Sequence, residues 1–139
     1  MASIRKHITR EVVSLDAGSP IRDAARLMMD RNIGSIGVKE DGKLVGLVTE
    51  RDLVIAVLAR AGNANGPIRE AMRSGIPRVD ADATEVECAS TMRDNGTRHL
   101  LVEDKGQTVG VVSMRDIIRL MLDEKQFLIE QLQTYIVGR

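Results

Sequence analysis

The stretch Gly46-Leu47-Val48-Thr49-Glu50-Arg51-Asp52 decides the fold, because the chain writes it again as Gly110-Val111-Val112-Ser113-Met114-Arg115-Asp116. Both copies run glycine, two apolar residues, a hydroxyl residue, a variable residue, arginine and aspartate. The offset is 64 residues, and at that offset residues 4–58 lie on residues 68–122 without a gap. Fifteen of those 55 positions are identical, among them Ile4/Ile68, Arg5/Arg69, Met28/Met92, Val38/Val102 and Gly42/Gly106. Average residue usage would give about three or four by chance. The chain is an internal duplication, and its function has to be built from both copies.

Outward from that stretch, each copy reads in the same order. Residues 4–9 form a short helix or turn, and Val12, Val13 and Leu15 make a strand over Glu11–Leu15. Ser19-Pro20 reads as a helix start, with serine as the cap and proline suited to the first turn. Ile21, Ala24, Ala25 and Met28 follow at helical spacing, and the helix closes near Asn32. Ser35–Lys39 is a short apolar strand, Asp41-Gly42 a hairpin turn and Leu44–Thr49 the returning strand. Thr49 then caps a helix carrying Leu53, Val54, Val57 and Leu58. The second copy gives Pro67–Arg73 as the short helix and Ile76–Val79 as the first strand. Thr84 caps the next helix and Asn95-Gly96 closes it. Leu100–Glu103 and Val109–Ser113 pair across Lys105-Gly106, and Ser113 caps the last helix.

These patterns predict one module over 1–139. Repeat one spans 4–60, a breaker-rich linker 61–66, repeat two 67–122 and a helical extension 123–139. In the extension Leu128, Leu132, Tyr135 and Ile136 continue an apolar stripe begun by Ile118, Met121 and Leu122. Two fates stay open for that stripe: packing back on the protein, or pairing with a second subunit.

Charge and composition narrow the function classes. Lys plus Arg equals Asp plus Glu at 20 each, so no basic surface marks a nucleic-acid binder. One Phe, one Tyr and no Trp leave no stacking platform for bases, and the core has to be aliphatic with help from seven methionines. The single cysteine, Cys88, excludes an internal disulfide and reads as a core filler beside Ala89. His7 has no Cys or second His near it, so no metal site is expected. No Ser/His/Asp or Cys/His grouping and no P-loop stand out, so no enzyme is expected. No apolar run nears the length of about 18 residues that crosses a membrane. Residues 1–7 lack the apolar core of a signal peptide. A soluble, cytoplasmic protein is the expectation.

Two copies of an apolar strand, a helix with an Ala-x-x-Met core, a strand hairpin and a closing G-h-h-T/S-x-R-D segment resemble a tandem pair of CBS domains, named after cystathionine β-synthase. The resemblance covers residues 4–122. It implies a mixed α/β (α+β) fold: two pseudo-twofold-related β-α-β-β-α units packed through their sheets, here with an extended C-terminal helix. It also implies clefts between the repeats that take adenosine-containing ligands: AMP, ADP or ATP, with S-adenosylmethionine or NADH as further candidates. A homodimer that regulates a protein partner, with no chemistry of its own, is implied as well.

Residue chemistry fits that implication. Asp52 and Asp116 stand three residues after Thr49 and Ser113, so a hydroxyl and a carboxylate share each helix start. A carboxylate accepts from the vicinal hydroxyls of a ribose, and the helix end favours a phosphate. The competing role is a cap of the S/T-x-x-D kind. Arg98-His99 precedes the middle strand of copy two, where copy one has Gly34-Ser35. In similar proteins basic residues here reach the phosphates, and a guanidinium fork suits that task. Arg51 and Arg115 have two open roles, phosphate contact or pairing with a nearby carboxylate. The candidate set is therefore Ser35, Thr49, Arg51, Asp52, Arg98, His99, Ser113, Arg115 and Asp116, with Asp116 expected to matter more than Asp52. The alternative function is a scaffold acting through dimerisation and the C-terminal helix with no nucleotide bound.

Overall fold

The computed structural model describes residues 3–73 and 75–137. The chain divides into two compact units: residues 11–76, and residues 77–139 together with residues 1–10. In the first unit β1 (Ser14–Asp16) pairs parallel with β2 (Ser35–Glu40), which pairs antiparallel with β3 (Lys43–Thr49). The helix α1 (Ile21–Arg31) joins β1 to β2, and α2 (Glu50–Leu53) follows β3 and runs on as a wider π turn over Val54–Ala59. In the second unit β4 (Arg78–Asp80), α3 (Glu85–Asn95), β5 (His99–Asp104), β6 (Gln107–Ser113) and α4 (Met114–Val137) repeat the order. The two sheets share strand order and register: Leu15 lies opposite Val38 as Val79 lies opposite Val102, and both middle strands shift register one residue later. No described helix is long and apolar enough to cross a membrane.

Local chemistry accounts for these boundaries. Asp41 and Gly42 have φ of 51° and 75°, and Lys105 and Gly106 have 52° and 78°. Two successive positive φ values give the mirror-image turn whose twist matches paired strands. Asn32 and Gly96 end α1 and α3 in the left-handed region, where orphan carbonyls are satisfied. Thr84 caps α3 with a reciprocal bond from Glu87. Ser19 does not play that part at α1. Pro20 is the cap position there, no side chain caps it, and the Ser19 carbonyl accepts from the Ile68 N–H at 2.8 Å. The leading strands also start later than the sequence pattern suggests. Residues ahead of Ser14 and Arg78 run outside the ladder, although the carbonyls of Val13 and Pro77 still accept from Gly37 and Leu101.

Each copy's lead-in segment packs in the other copy's core. The turn Ile4–His7 belongs with the second repeat: Ile4 N–H donates to the Ala83 carbonyl at 2.9 Å, and Thr9 and Val111 exchange bonds of 2.9 and 3.0 Å. Ile4 is fully buried among Cys88, Met92, Leu100, Val102 and Ile117. In mirror fashion Ile68 is fully buried among Ala24, Met28, Ile36, Val38 and Val48. The neighbouring arginines seal the exchange. Arg5 bonds Asp104 at 2.9 Å and Asp82 at 2.8 Å, and Arg69 bonds Glu40 at 2.9 Å. Sequence repeat and packed unit are therefore offset by one segment.

That exchange explains the glycine that opens the repeated stretch. A side chain on Gly110 would strike the Thr9 carbonyl and come within 2.7 Å of Ile8 Cγ2. At Gly46 the segment after Ile68 passes, and a side chain would lie 3.2 Å from Met72 Sδ. The apolar residues that follow each glycine fill the cores, with Val48 and Val112 fully buried.

Candidate functional site

The hydroxyl-to-aspartate spacing builds the same corner in each unit. Thr49, still extended, accepts from Asp52 N–H at 3.2 Å, and Asp52 Oδ2 accepts from Thr49 N–H at 2.8 Å. Ser113 accepts from Asp116 N–H at 3.2 Å, while its own N–H and Oγ donate to Asp116 Oδ2 at 2.8 and 2.9 Å. The capping role is real in both copies, and it uses one carboxylate oxygen. The second oxygen, Oδ1, lies outside the cap.

The middle strand delivers the other candidates to the same corner. Ser35 lies opposite Thr49, and the Gly34 carbonyl accepts from Glu50 N–H at 3.1 Å. His99 lies opposite Ser113, and the Arg98 carbonyl accepts from Met114 N–H at 2.8 Å. The structure thus gathers Ser35, Thr49, Arg51 and Asp52 at one helix start. It gathers Arg98, His99, Ser113, Arg115 and Asp116 at the other. Thr97, buried ahead of β5, fixes the His99 backbone by accepting its N–H at 3.3 Å.

The two corners differ in charge. Asp52 is 7% exposed, and its Oδ1 faces Arg73 Nη2 at 3.7 Å. The position matching Arg73 in the other copy is Thr9, and among the described residues no cation stands at ion-pair distance from Asp116. The carboxylate of Glu50 lies 3.8 Å from where a Gly34 side chain would begin. Its counterparts in the second unit are Met114 and Arg98. One corner therefore holds an extra acid and an occupied aspartate, and the other holds exposed Arg98 and Arg115 around an aspartate with an open oxygen. Arg51 and Arg115 are exposed and, among the described residues, neither stands in an ion pair. Arg73 escaped the sequence reading. The 64-residue offset exposes its mismatch with Thr9, but only the chain's return past β3 brings it to Asp52.

A hollow of about 340 Å³ opens elsewhere on the second unit, lined by Val79, Asp80, Asp82, Ala83, Glu87 and Thr91. Its acids have structural duties: Asp82 binds Arg5, Glu87 caps α3 and Asp80 accepts from Asp82 N–H. It is apart from the corner chemistry. Among the described residues no group of three or more His, Cys, Asp and Glu is placed to hold a metal ion.

Comparison with known proteins identifies the repeat and the fold. A family model described as CBS domain matches residues 4–59 and again residues 68–123. The chain is 27% identical over 117 residues to the CBS domain-containing protein YhcV of Bacillus subtilis, covering 84% of each. It is 30% identical over 121 residues to hypoxic response protein 1 of Mycobacterium tuberculosis, covering 86% of this chain and 85% of that one. A solved CBS domain pair, that of protein MJ0100 in complex with 5′-methylthioadenosine and S-adenosyl-L-methionine, superposes with a TM-score of 0.77. The match covers 89% of this chain and 98% of that one, at 23% identity.

Proposed function

Because the chain belongs to the CBS-domain family, we propose that it is a non-enzymatic regulatory module that binds an adenosine-containing ligand, with AMP, ADP or ATP favoured. The observation that carries this reading is the corner of Arg98, His99, Ser113, Arg115 and Asp116. Asp116 Oδ1 stands outside the cap and, among the described residues, no cation stands at ion-pair distance from it, which leaves it to accept from ribose hydroxyls. Arg98 and Arg115 bring planar donor forks suited to phosphate, and the start of α4 adds a favourable dipole. The first unit's corner is the weaker site, since Arg73 occupies Asp52 and Glu50 repels a phosphate. The MJ0100 pair, which shares the fold, holds adenosine compounds, and that supports the ligand class. The arginines turn the preference toward nucleotides. We read the module as a homodimer that acts on a regulated protein.

Calorimetric titration with AMP, ADP, ATP, S-adenosylmethionine and NADH tests the proposal. Losing a charged hydrogen-bond acceptor is worth about 1.5–3 kcal/mol, so Asp116→Ala weakens binding roughly 10- to 100-fold. Asp52→Ala, whose oxygen is already engaged, changes binding far less. No heat and no thermal shift with any of the five compounds refutes the ligand class. A larger loss from Asp52→Ala overturns the choice of corner.

A further inference from the structure

The lead-in segments cross the two sheets at matching places. Arg73 bridges Leu47, and Thr9, its counterpart at the 64-residue offset, bridges Val111, the counterpart of Leu47. The Arg73 N–H donates to the Leu47 carbonyl at 3.4 Å, and Thr9 and Val111 exchange bonds of 2.9 and 3.0 Å. Two residues beyond Leu47 and Val111 stand the cap hydroxyls, Thr49 and Ser113. Residues two apart on a strand share a face, so this bridge position lies beside the corner in each unit. It carries a long cation in one unit and a short neutral side chain in the other.

The carboxylates register that difference. Both use Oδ2 in the same way, accepting the cap N–H at 2.8 Å. Asp52, however, is 7% exposed and its Oδ1 faces Arg73 Nη2 at 3.7 Å. Asp116 is half-buried and, among the described residues, has no cation at ion-pair distance. The cap therefore forms without an arginine, and Arg73 is not what holds Asp52 in place. A ribose hydroxyl is a neutral donor, so it competes poorly for an oxygen that already faces a tethered guanidinium.

We propose that this one bridge position sets how many ligands the chain holds: Arg73 latches the first corner shut, and Thr9 leaves the second open. The inference rests on the adenosine-ligand reading above and deepens it, by assigning the stoichiometry to a residue outside the repeated stretch. Glu50 is a second obstacle at the first corner, because its carboxylate stands where the second unit has Met114. The latch is reversible by exchange. The two bridges are equivalent, so an arginine put at position 9 falls over Asp116 as Arg73 falls over Asp52.

Equilibrium dialysis of the full chain against labelled ATP counts the sites and reads their affinity. The unaltered chain holds one ATP. Arg73→Thr with Glu50→Met gives the first corner the second corner's residues and raises the count to two. The gained site is the weaker one, since Gly34 stands where the second corner has Arg98. Adding Asp52→Ala to that variant returns the count to one. In the other direction, Thr9→Arg weakens the original site roughly 10- to 100-fold, as Asp116→Ala does, whereas the uncharged Thr9→Met keeps it. The two arms alter different units, so either one decides the matter if a variant of the other misfolds. A count that stays at one after Arg73→Thr with Glu50→Met overturns the latch and leaves the ligand reading standing. So does an unaltered chain that already holds two, a Thr9→Arg variant of unchanged affinity, or equal losses from Thr9→Arg and Thr9→Met. An Arg73→Thr variant that loses the original site also overturns it, because Arg73 would then be a ligand contact. No ATP on any of these chains overturns both.

Discussion

Gly110→Ala measures the exchange of lead-in segments directly. The new methyl group would strike the Thr9 carbonyl, and Thr9 cannot retreat without breaking both of its bonds with Val111, at 2.9 and 3.0 Å. Two net hydrogen bonds are worth about 1 kcal/mol each, and overpacking adds ~1–3 kcal/mol, so the expected loss is about 3–5 kcal/mol. At Gly46 the nearest atom is the flexible sulfur of Met72, and the nearest backbone oxygen, of Arg73, is 3.7 Å away. Gly46→Ala should therefore cost about 1 kcal/mol or less. For a chain of this size the melting temperature falls about 4 °C per kcal/mol, so the two variants should differ by roughly 8–16 °C. Urea and thermal unfolding followed by circular dichroism give both numbers. Removing residues 1–9 should erase the penalty at position 110, which a double-mutant cycle reads as coupling. Equal losses at the two glycines, or a penalty that survives the truncation, refute the packing of Thr9 against β6.

Three further outcomes follow from buried or paired groups. Glu85 is 3% exposed at the position where the first copy has Ile21, and its Oε2 is buried without a hydrogen-bond partner among the described residues. Glu85→Ile should stabilise the chain by about 1–2 kcal/mol, and a lower urea midpoint would contradict that. Burial, with help from Glu87 and Glu85, pushes the Cys88 thiol up to about 11. At pH 8 a disulfide reagent should label it only after unfolding, and labelling of the native chain at the unfolded rate would disprove the burial. The hydrogen bond from Arg5 holds the Asp104 carboxyl below its ordinary value of 3.8. A depressed carboxylate stabilises the fold above that value and loses its contribution as pH falls through the lower folded value. Arg5→Met should thus destabilise at neutral pH, with the difference shrinking in acid; a pH-independent difference would point to lost packing instead.

Much of this was legible because the duplication lets each copy check the other. The strands, both hairpin turns, the caps at Thr49, Thr84 and Ser113, and the helix ends at Asn32 and Gly96 all rest on residues acting within a few positions of themselves. Ser19 misled because a good cap residue stood beside Pro20, whereas Pro20 itself takes the cap position and no side chain caps the helix. The repeated spacing put Thr49 with Asp52 and Ser113 with Asp116, while their ligand roles and the choice of Arg98 and His99 came from what the family resemblance implies. The charge difference between the corners was half visible. Arg98 against Gly34 stands in the alignment of copies, but Arg73 reaches Asp52 only through the path of the chain. The destination of the lead-in segments was hidden for the same reason: Ile4 and Ile68 are identical, and nothing in either marks which core it fills.

That ambiguity has an evolutionary edge. A solitary copy of this repeat would have an isoleucine built for a neighbour and a hole of its own, so it could close only by trading segments with another chain. Fusing two such halves fixes the donor beside the acceptor at high effective concentration and turns a domain-swapped pair into a single polypeptide. In the fused chain the halves differ, one carrying an arginine over its aspartate and the other leaving that oxygen open, while each still holds the segment that completes its core.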